Sequence, residues 1–370
     1  MKRKMVIGLS GLVLVVGLTA CGNGANTKQN STLPTNNDQT VLSNNTSGQN
    51  DGVLAEGGIY YTANEGGSIS KIDAVNNVVI ETIRIDGSVH NVQISPDGKT
   101  VGVTVVPEMP EMSGSENNHN SEHAMNGYAI FYDTATNKKI HQVNVGLHPA
   151  HIVFTEDNKY TLISNNEDNN VTVLDAKTHE EVAVIPTGNG PHGFRVSADS
   201  KFAYVANMNE DTVSVLNLQT MKEERKITVG KSPVTTGVTS DGQTLIATLN
   251  AEDAVAIVDL ASGSSVKVPV GAGPAQVFVQ SDDKYAIVAN QGTEKNPSNS
   301  ISKIDLNTKQ VVTTIETGKG AHGVVTSKDN TRIYVTNMFD NTVSVIDNQE
   351  NKVITQVKVG TTPNGISFMP

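Results

Sequence analysis

The sequence repeats itself, and that limits its fold more than any single residue does. The last copy runs Ile333-Tyr-Val-Thr-Asn337, Asn341-Thr-Val-Ser-Val-Ile-Asp347, Lys352-Val-Ile-Thr-Gln-Val-Lys-Val-Gly360 and Pro363-Asn-Gly-Ile-Ser-Phe-Met369; near-copies recur along the chain. One turn aspartate marks the register at 97, 157, 199, 241, 282 and 329, in steps of 60, 42, 42, 41 and 47 residues. The two long steps indicate insertions. A second aspartate recurs at 73, 133, 175, 259, 305 and 347, with Asn217 filling the gap. A repeat of this period means stacked supersecondary units, none of which can bury its apolar face alone.

Between the marks lie short alternating runs such as Val171-Thr-Val-Leu174 and Val213-Ser-Val-Leu216, rich in β-branched residues and bounded by Gly, Asn, Asp and Pro. These read as strands, and no helical periodicity follows the first twenty residues. About four strands per unit of roughly 42 residues predicts an all-β, seven-bladed β-propeller. In one blade the innermost strand is expected at 191–197, the second at 202–207, the third at 212–216 and the outermost at 224–230. Asn64, Asn165, Asn207, Asn250, Asn290 and Asn337 are expected to close second strands by turn chemistry, because Asn tolerates left-handed backbone. The first repeat starts at Ile59 on a second strand, and the chain ends on an innermost one. One blade is therefore expected to be closed by both termini, which removes an open edge.

The strand Tyr334-Val-Thr-Asn337, with variants Tyr204-Val-Ala-Asn207 and Ile287-Val-Ala-Asn290, resembles the signature of the YVTN family of β-propellers over roughly residues 58–370. The second repeat departs from it, running Val101-Gly-Val-Thr-Val-Val106 into an insertion. The resemblance implies the fold; for function it implies little, since such propellers serve as binding scaffolds, lactonases and haem or copper enzymes.

The N-terminus reads as an address. Lys2, Arg3 and Lys4 precede an apolar run to Ala20, as in a secretory signal over 1–20. Leu18-Thr-Ala-Cys21 resembles a bacterial lipobox, which implies a diacylglycerol on Cys21 and cleavage before it. Cys21 is the chain's single cysteine, so no internal disulfide can form. Residues 21–56, rich in Asn, Thr, Ser, Gln and Gly, read as a flexible tether before a propeller at 57–370. An extracytoplasmic protein is expected, meeting the membrane only through its acyl chains. The formal charge is −11, and loss of the three signal cations takes it to −14. So acidic a chain repels nucleic acid. A monomer is expected.

Two features exceed what the repeat needs. The insertion at 107–126 holds Met109, Met112, His119, His123 and Met125, and thioether with imidazole is a copper-binding set. Its carboxylates beside the imidazoles would instead suit zinc. A solvated loop of incidental composition is the favoured explanation. Second, seven residues before each turn aspartate stand His90, Ala150, His192, Val234, Ala275, His322 and, in the closing blade, Asn364, with His151 one further along. These positions are expected to meet at one mouth of the central channel, where His90, His151, His192 and His322 would hold a metal, an anion or only water. Their imidazoles are expected to lose a metal as pH falls through about 6.5. Carboxylates are not expected there. No G-x-S-x-G elbow or phosphate loop is found. The sequence thus favours a non-catalytic surface binding or scaffold protein with an unidentified protein, glycan or small ligand; copper or zinc handling is the alternative, and an oxidoreductase follows behind both.

Overall fold

In the computed structural model, which describes residues 58–108 and 126–369, seven four-stranded antiparallel sheets make seven blades. The one helical turn among the described residues is the 3₁₀ segment Asn250–Glu252. The blade shared by both ends pairs Pro363–Met369 with Ile59–Asn64, followed outward by Ser68–Asp73 and Val78–Arg84. Its register sets Ile59 against Met369 and Tyr60 against Phe368.

Burial follows the radius. The second strand Phe202–Asn207 is almost wholly buried, while the outermost strand Lys222–Thr228 is mostly exposed. The core lies between blades: Phe194, Val196 and Val205 of one pack against Val153, Leu162 and Val171 of its neighbour. Each such side chain contributes about 1.5–3 kcal/mol on burial. Two lysines also bridge blades. Lys71 Nζ donates to the Thr134 carbonyl (2.6 Å), and Lys303 Nζ to Asn348 Oδ1 (2.8 Å).

The innermost strand of the predicted blade runs Pro191–Val196, with the second and third at Phe202–Asn207 and Thr212–Asn217. The outermost runs Lys222–Thr228, two residues earlier than expected. The cause is a tight turn: Asn217 Oδ1 accepts the Gln219 and Thr220 amides, and Met221 takes φ 54°, so pairing resumes at Lys222.

The recurring asparagines do something other than turn chemistry. Asn64, Asn165, Asn207, Asn290 and Asn337 are fully buried, and none has positive φ. Their amides brace the next strand: Asn207 Nδ2 donates to Thr212 Oγ1 and Ser214 Oγ (both 2.9 Å), and Asn337 Nδ2 to Thr342 Oγ1 and Ser344 Oγ (both 2.9 Å). The crossover from the previous blade closes onto this brace, because the Gly188 amide donates to Ser214 Oγ (3.1 Å). A Cβ on Gly188 would lie 2.4 Å from Asn207 Nδ2, so only glycine comes this close. Asn250 is not one of the set. It begins the 3₁₀ turn, and Leu249 holds the equivalent place, opposite Pro233 as Asn207 is opposite Pro191. In the second blade Val105 does so. We predict that Asn207→Ala, which strands the hydroxyls below it, lowers stability by about 1–3 kcal/mol, whereas Asn209→Ala in the adjacent turn changes it by less than about 0.5 kcal/mol. Equal urea midpoints for the two variants would contradict the brace.

Candidate functional site

All seven innermost strands shift register at the same place, for example between Pro149 and Ile152 and between Pro191 and Phe194. Such a bulge sets two residues against one on the partner strand and re-aims both side chains. Ala150 and His151 fall in one bulge, His192 and Gly193 in the next. This explains how His151, a residue out of step with the other histidines, joins them. Space is scarce at the axis: a Cβ on Gly193 would lie 2.1 Å from Thr235 Cγ2. Ser164 holds two of the histidine-bearing strands together, accepting from the His151 amide (3.0 Å) and donating to the His192 carbonyl (2.6 Å).

Three imidazoles meet at this mouth. Ring centroids of His90 and His192 are 5.4 Å apart, His151 and His192 5.1 Å, and His90 and His151 6.3 Å. His148, from the loop before its strand, adds a fourth ring 6.2 Å from His90. His322 stands outside this ring cluster and donates Nδ1 to the Asn364 carbonyl (3.3 Å). A carboxylate is present as well: Glu65 Oε1 accepts from His90 Nδ1 (3.1 Å) and Asn364 Nδ2 (2.7 Å). Counting along innermost strands misses Glu65, because it follows the brace residue Asn64 at the end of a second strand. The signal was there to find. The residue after the brace asparagine reaches an innermost strand in another blade too, where Asn166 donates to the Pro191 carbonyl.

These bonds fix the tautomers. Burial opposes charge on Glu65, but the hydrogen bond and charge of His90 and the Asn364 amide hold its carboxyl down at about 2. An ionised carboxylate only accepts, so His90 carries its proton on Nδ1. His192 Nδ1 faces the Val234 carbonyl (3.2 Å), another pure acceptor, and is also protonated. The two Nε2 atoms face each other at 3.3 Å. In the neutral rings both would present lone pairs, so a proton or a cation must lie between them. Beside them both nitrogens of buried His151 lack a partner among the described residues.

Burial, then the charges of His90 and His322, pushes His192 down to about 3. Burial and His90 push His322 to about 4, and burial with His192 pushes His151 well below the ordinary imidazole value. Burial also lowers His148, partly offset by Glu167.

The profile of the YNCE-like beta-propeller family matches residues 126–297 and 294–369. The chain belongs to that family. No curated protein matches it. Among solved structures, this YNCE-like propeller is similar to Kuenenia stuttgartiensis hydrazine synthase, at 20% identity and TM-score 0.64 over 75% of this chain and 89% of that one. It is also similar to the dihydro-heme d1 dehydrogenase NirN, at 17% and 0.59 over 81% of this chain and 63% of that one. A functionally unknown protein from Desulfotomaculum acetoxidans DSM 771 gives 13% and 0.68 over 84% and 98%. At these identities the likeness is one of fold.

The YNCE-like propeller departs from the sequence expectations at three points. A carboxylate, Glu65, stands where none was expected. Burial moves His192 and His322 far below 6.5, so proton competition at these two rings sets in at lower pH than exposed imidazole gives. The rings of His90, His151 and His192 pack on one another, while His322 stands farther off, near enough for its charge to lower His192. Among the described residues no group of three or more His, Cys, Asp or Glu is placed to hold a metal ion. Cys21 and the set Met109, Met112, His119, His123 and Met125 lie outside the described residues.

The depressed imidazoles give stability a pH slope. Between 6.5 and about 3 the unfolded chain takes up a proton that folded His192 refuses. This contribution is complete above pH 6.5 and is lost as pH falls. Glu65 adds loss of the same sign between 4.5 and about 2. We predict that urea stability drops from pH 7.5 to 5.0, and that His192→Ala reduces the drop by about 1–2 kcal/mol. An unchanged drop in the variant would show His192 to be as easily protonated as an exposed histidine.

Proposed function

We propose that this chain is a lipid-anchored, extracytoplasmic binding protein that performs no chemistry of its own and takes its ligand at the histidine-lined channel mouth. One observation carries the reading: at 3.3 Å the Nε2 atoms of His90 and His192 demand something positive between them, next to an imidazole with two unpartnered nitrogens. Buried polar atoms left open in this way find water or a ligand. The anchor rests on Cys21 at the end of its lipobox, and the polar stretch after it supplies the tether. Fold likeness to a synthase and a dehydrogenase at 20% and 17% identity carries no activity across.

The same observation favours a second, narrower reading, in which the ligand is a zinc or copper ion. Two imidazole nitrogens on one tetrahedral zinc, at about 2.0–2.1 Å each, stand about 3.3–3.4 Å apart. His151, its ring 5.1 Å from that of His192, is the nearest further imidazole. Glu65 and Val234, bonded to the far nitrogens of His90 and His192, would act as orienting partners.

Native mass spectrometry with elemental analysis, on protein purified without chelator, tests both readings. The wild type should carry a ligand, one zinc or copper ion in the narrower reading, that His192→Ala lacks and deletion of 109–125 retains. Retention by His192→Ala with loss on the deletion would move the site to the insertion. A wild type with no bound species, and no zinc or copper binding tighter than about 10 μM, would overturn the channel site. Cys21→Ala should leave the detergent phase for the aqueous one, since acyl chains supply about 0.8 kcal/mol per buried CH₂; unchanged partitioning would contradict the anchor.

A further inference from the structure

The innermost strands end at a second mouth whose chemistry is unlike the first. Three residues beyond His192, about 10 Å at the usual rise per residue, stands Arg195. It lines a cavity of 250 Å³ whose walls mix apolar side chains, among them Val153, Phe278, Val325 and Phe368, with polar ones, Gln93, Thr326 and Ser367. The cavity continues into a neighbouring one of 270 Å³, and Arg195 is the only cationic side chain in either. At the matching place the other blades present Gln93, Val153, Gly237, Phe278, Val325 and Ser367, so nothing in the repeat calls for a cation here.

Arg195 is underused. Its one side-chain hydrogen bond among the described residues runs from Nη1 to the carbonyl of its own neighbour Phe194 (2.9 Å). Among the described residues no carboxylate comes within ion-pair distance of it. Glu156 lines the same cavities, and burial raises its pKa, with Arg195 offsetting only part of that rise. Burial lowers the guanidinium to about 10, which leaves it charged at neutral pH. Arg195 is half-buried, its remaining N–H donors face the cavity unpaired among the described residues, and a guanidinium offers a planar fork of donors matched to a carboxylate or phosphate. Two phenylalanines and two valines around that fork select a ligand with an apolar body.

We propose that this second mouth is a binding site for a small organic carboxylate, its anionic head on Arg195 and its apolar body against Phe278 and Phe368. The site is separate from the histidine mouth and needs no metal. An aromatic or branched aliphatic acid fits the chemistry, whereas a bare inorganic anion leaves the phenylalanine walls unused.

Benzoate, its neutral isostere benzamide and inorganic phosphate distinguish these cases by calorimetry on residues 22–370. Benzoate should bind with Kd below about 10 mM, and benzamide at least tenfold more weakly on the same wild-type protein, a comparison that needs no variant. Arg195→Met should weaken benzoate at least tenfold, Phe278→Ala severalfold, and Glu156→Gln should not weaken it. His192→Ala should leave benzoate binding unchanged, so failure of the histidine site and failure of this one are told apart. No benzoate binding at 10 mM, equal binding of benzamide, or equal binding by a folded Arg195→Met variant would overturn the proposal. Phosphate binding tighter than benzoate would overturn the assignment of an apolar ligand.

Discussion

Seven strands cannot converge on one axis without running out of room, and most of what is particular to this molecule follows from that crowding. Each innermost strand shifts register where it nears its neighbours. At Gly193 even a Cβ is excluded by Thr235. The shift turns consecutive residues toward the axis, so His151 and His192 meet although the repeat places them one position apart. Hydroxyls of the second strands then fix the crowded carbonyls: Ser164 takes that of His192, Thr336 that of Asn364 and Thr104 that of Ala150. The backbone that makes the ring closed also makes the histidine mouth rigid.

Farther out, the buried asparagine brace joins each crossover to the blade it enters. Asn207, Ser214 and Gly188 are a closed set: the amide needs the hydroxyl, and the glycine leaves room for the amide. Where Leu249 or Val105 replaces the asparagine, the crossover glycine adopts positive φ instead, 139° at Gly230 and 112° at Gly87. The two solutions exchange a polar tie for apolar packing at the same corner. The channel's two ends share this frame and differ in chemistry. One gathers imidazoles around a carboxylate, the other sets a guanidinium in a cavity with two phenylalanines in its wall.

The fold was legible because its determinants are periodic. Blade number, the strand order within a blade and closure by Ile59–Asn64 with Pro363–Met369 all follow from marks that recur in register. What escaped reading depends on contacts between repeats. Asn207 looks like a turn residue in one repeat, and its role as a brace appears only with Ser214 across the hairpin and Gly188 from the crossover. Asn250 sits one residue from a place held by Leu249, a slip that counting alone cannot detect. His90, His192 and His322 were found by position, yet only the bulges bring in His151 and only the path of the first strand brings in Glu65. Arg195 carried no signal at all, because a single arginine in a strand is unremarkable until the walls around it are known.

The central claim is that a positive species belongs between the Nε2 atoms of His90 and His192; in the narrower of the two proposed readings that species is a metal ion. Crystals of residues 22–370 grown with zinc, with data collected on both sides of the zinc absorption edge, examine it directly. The account predicts an anomalous peak about 2.0–2.1 Å from both Nε2 atoms. A channel mouth without a peak, or a peak confined to the insertion at 109–125, would contradict it.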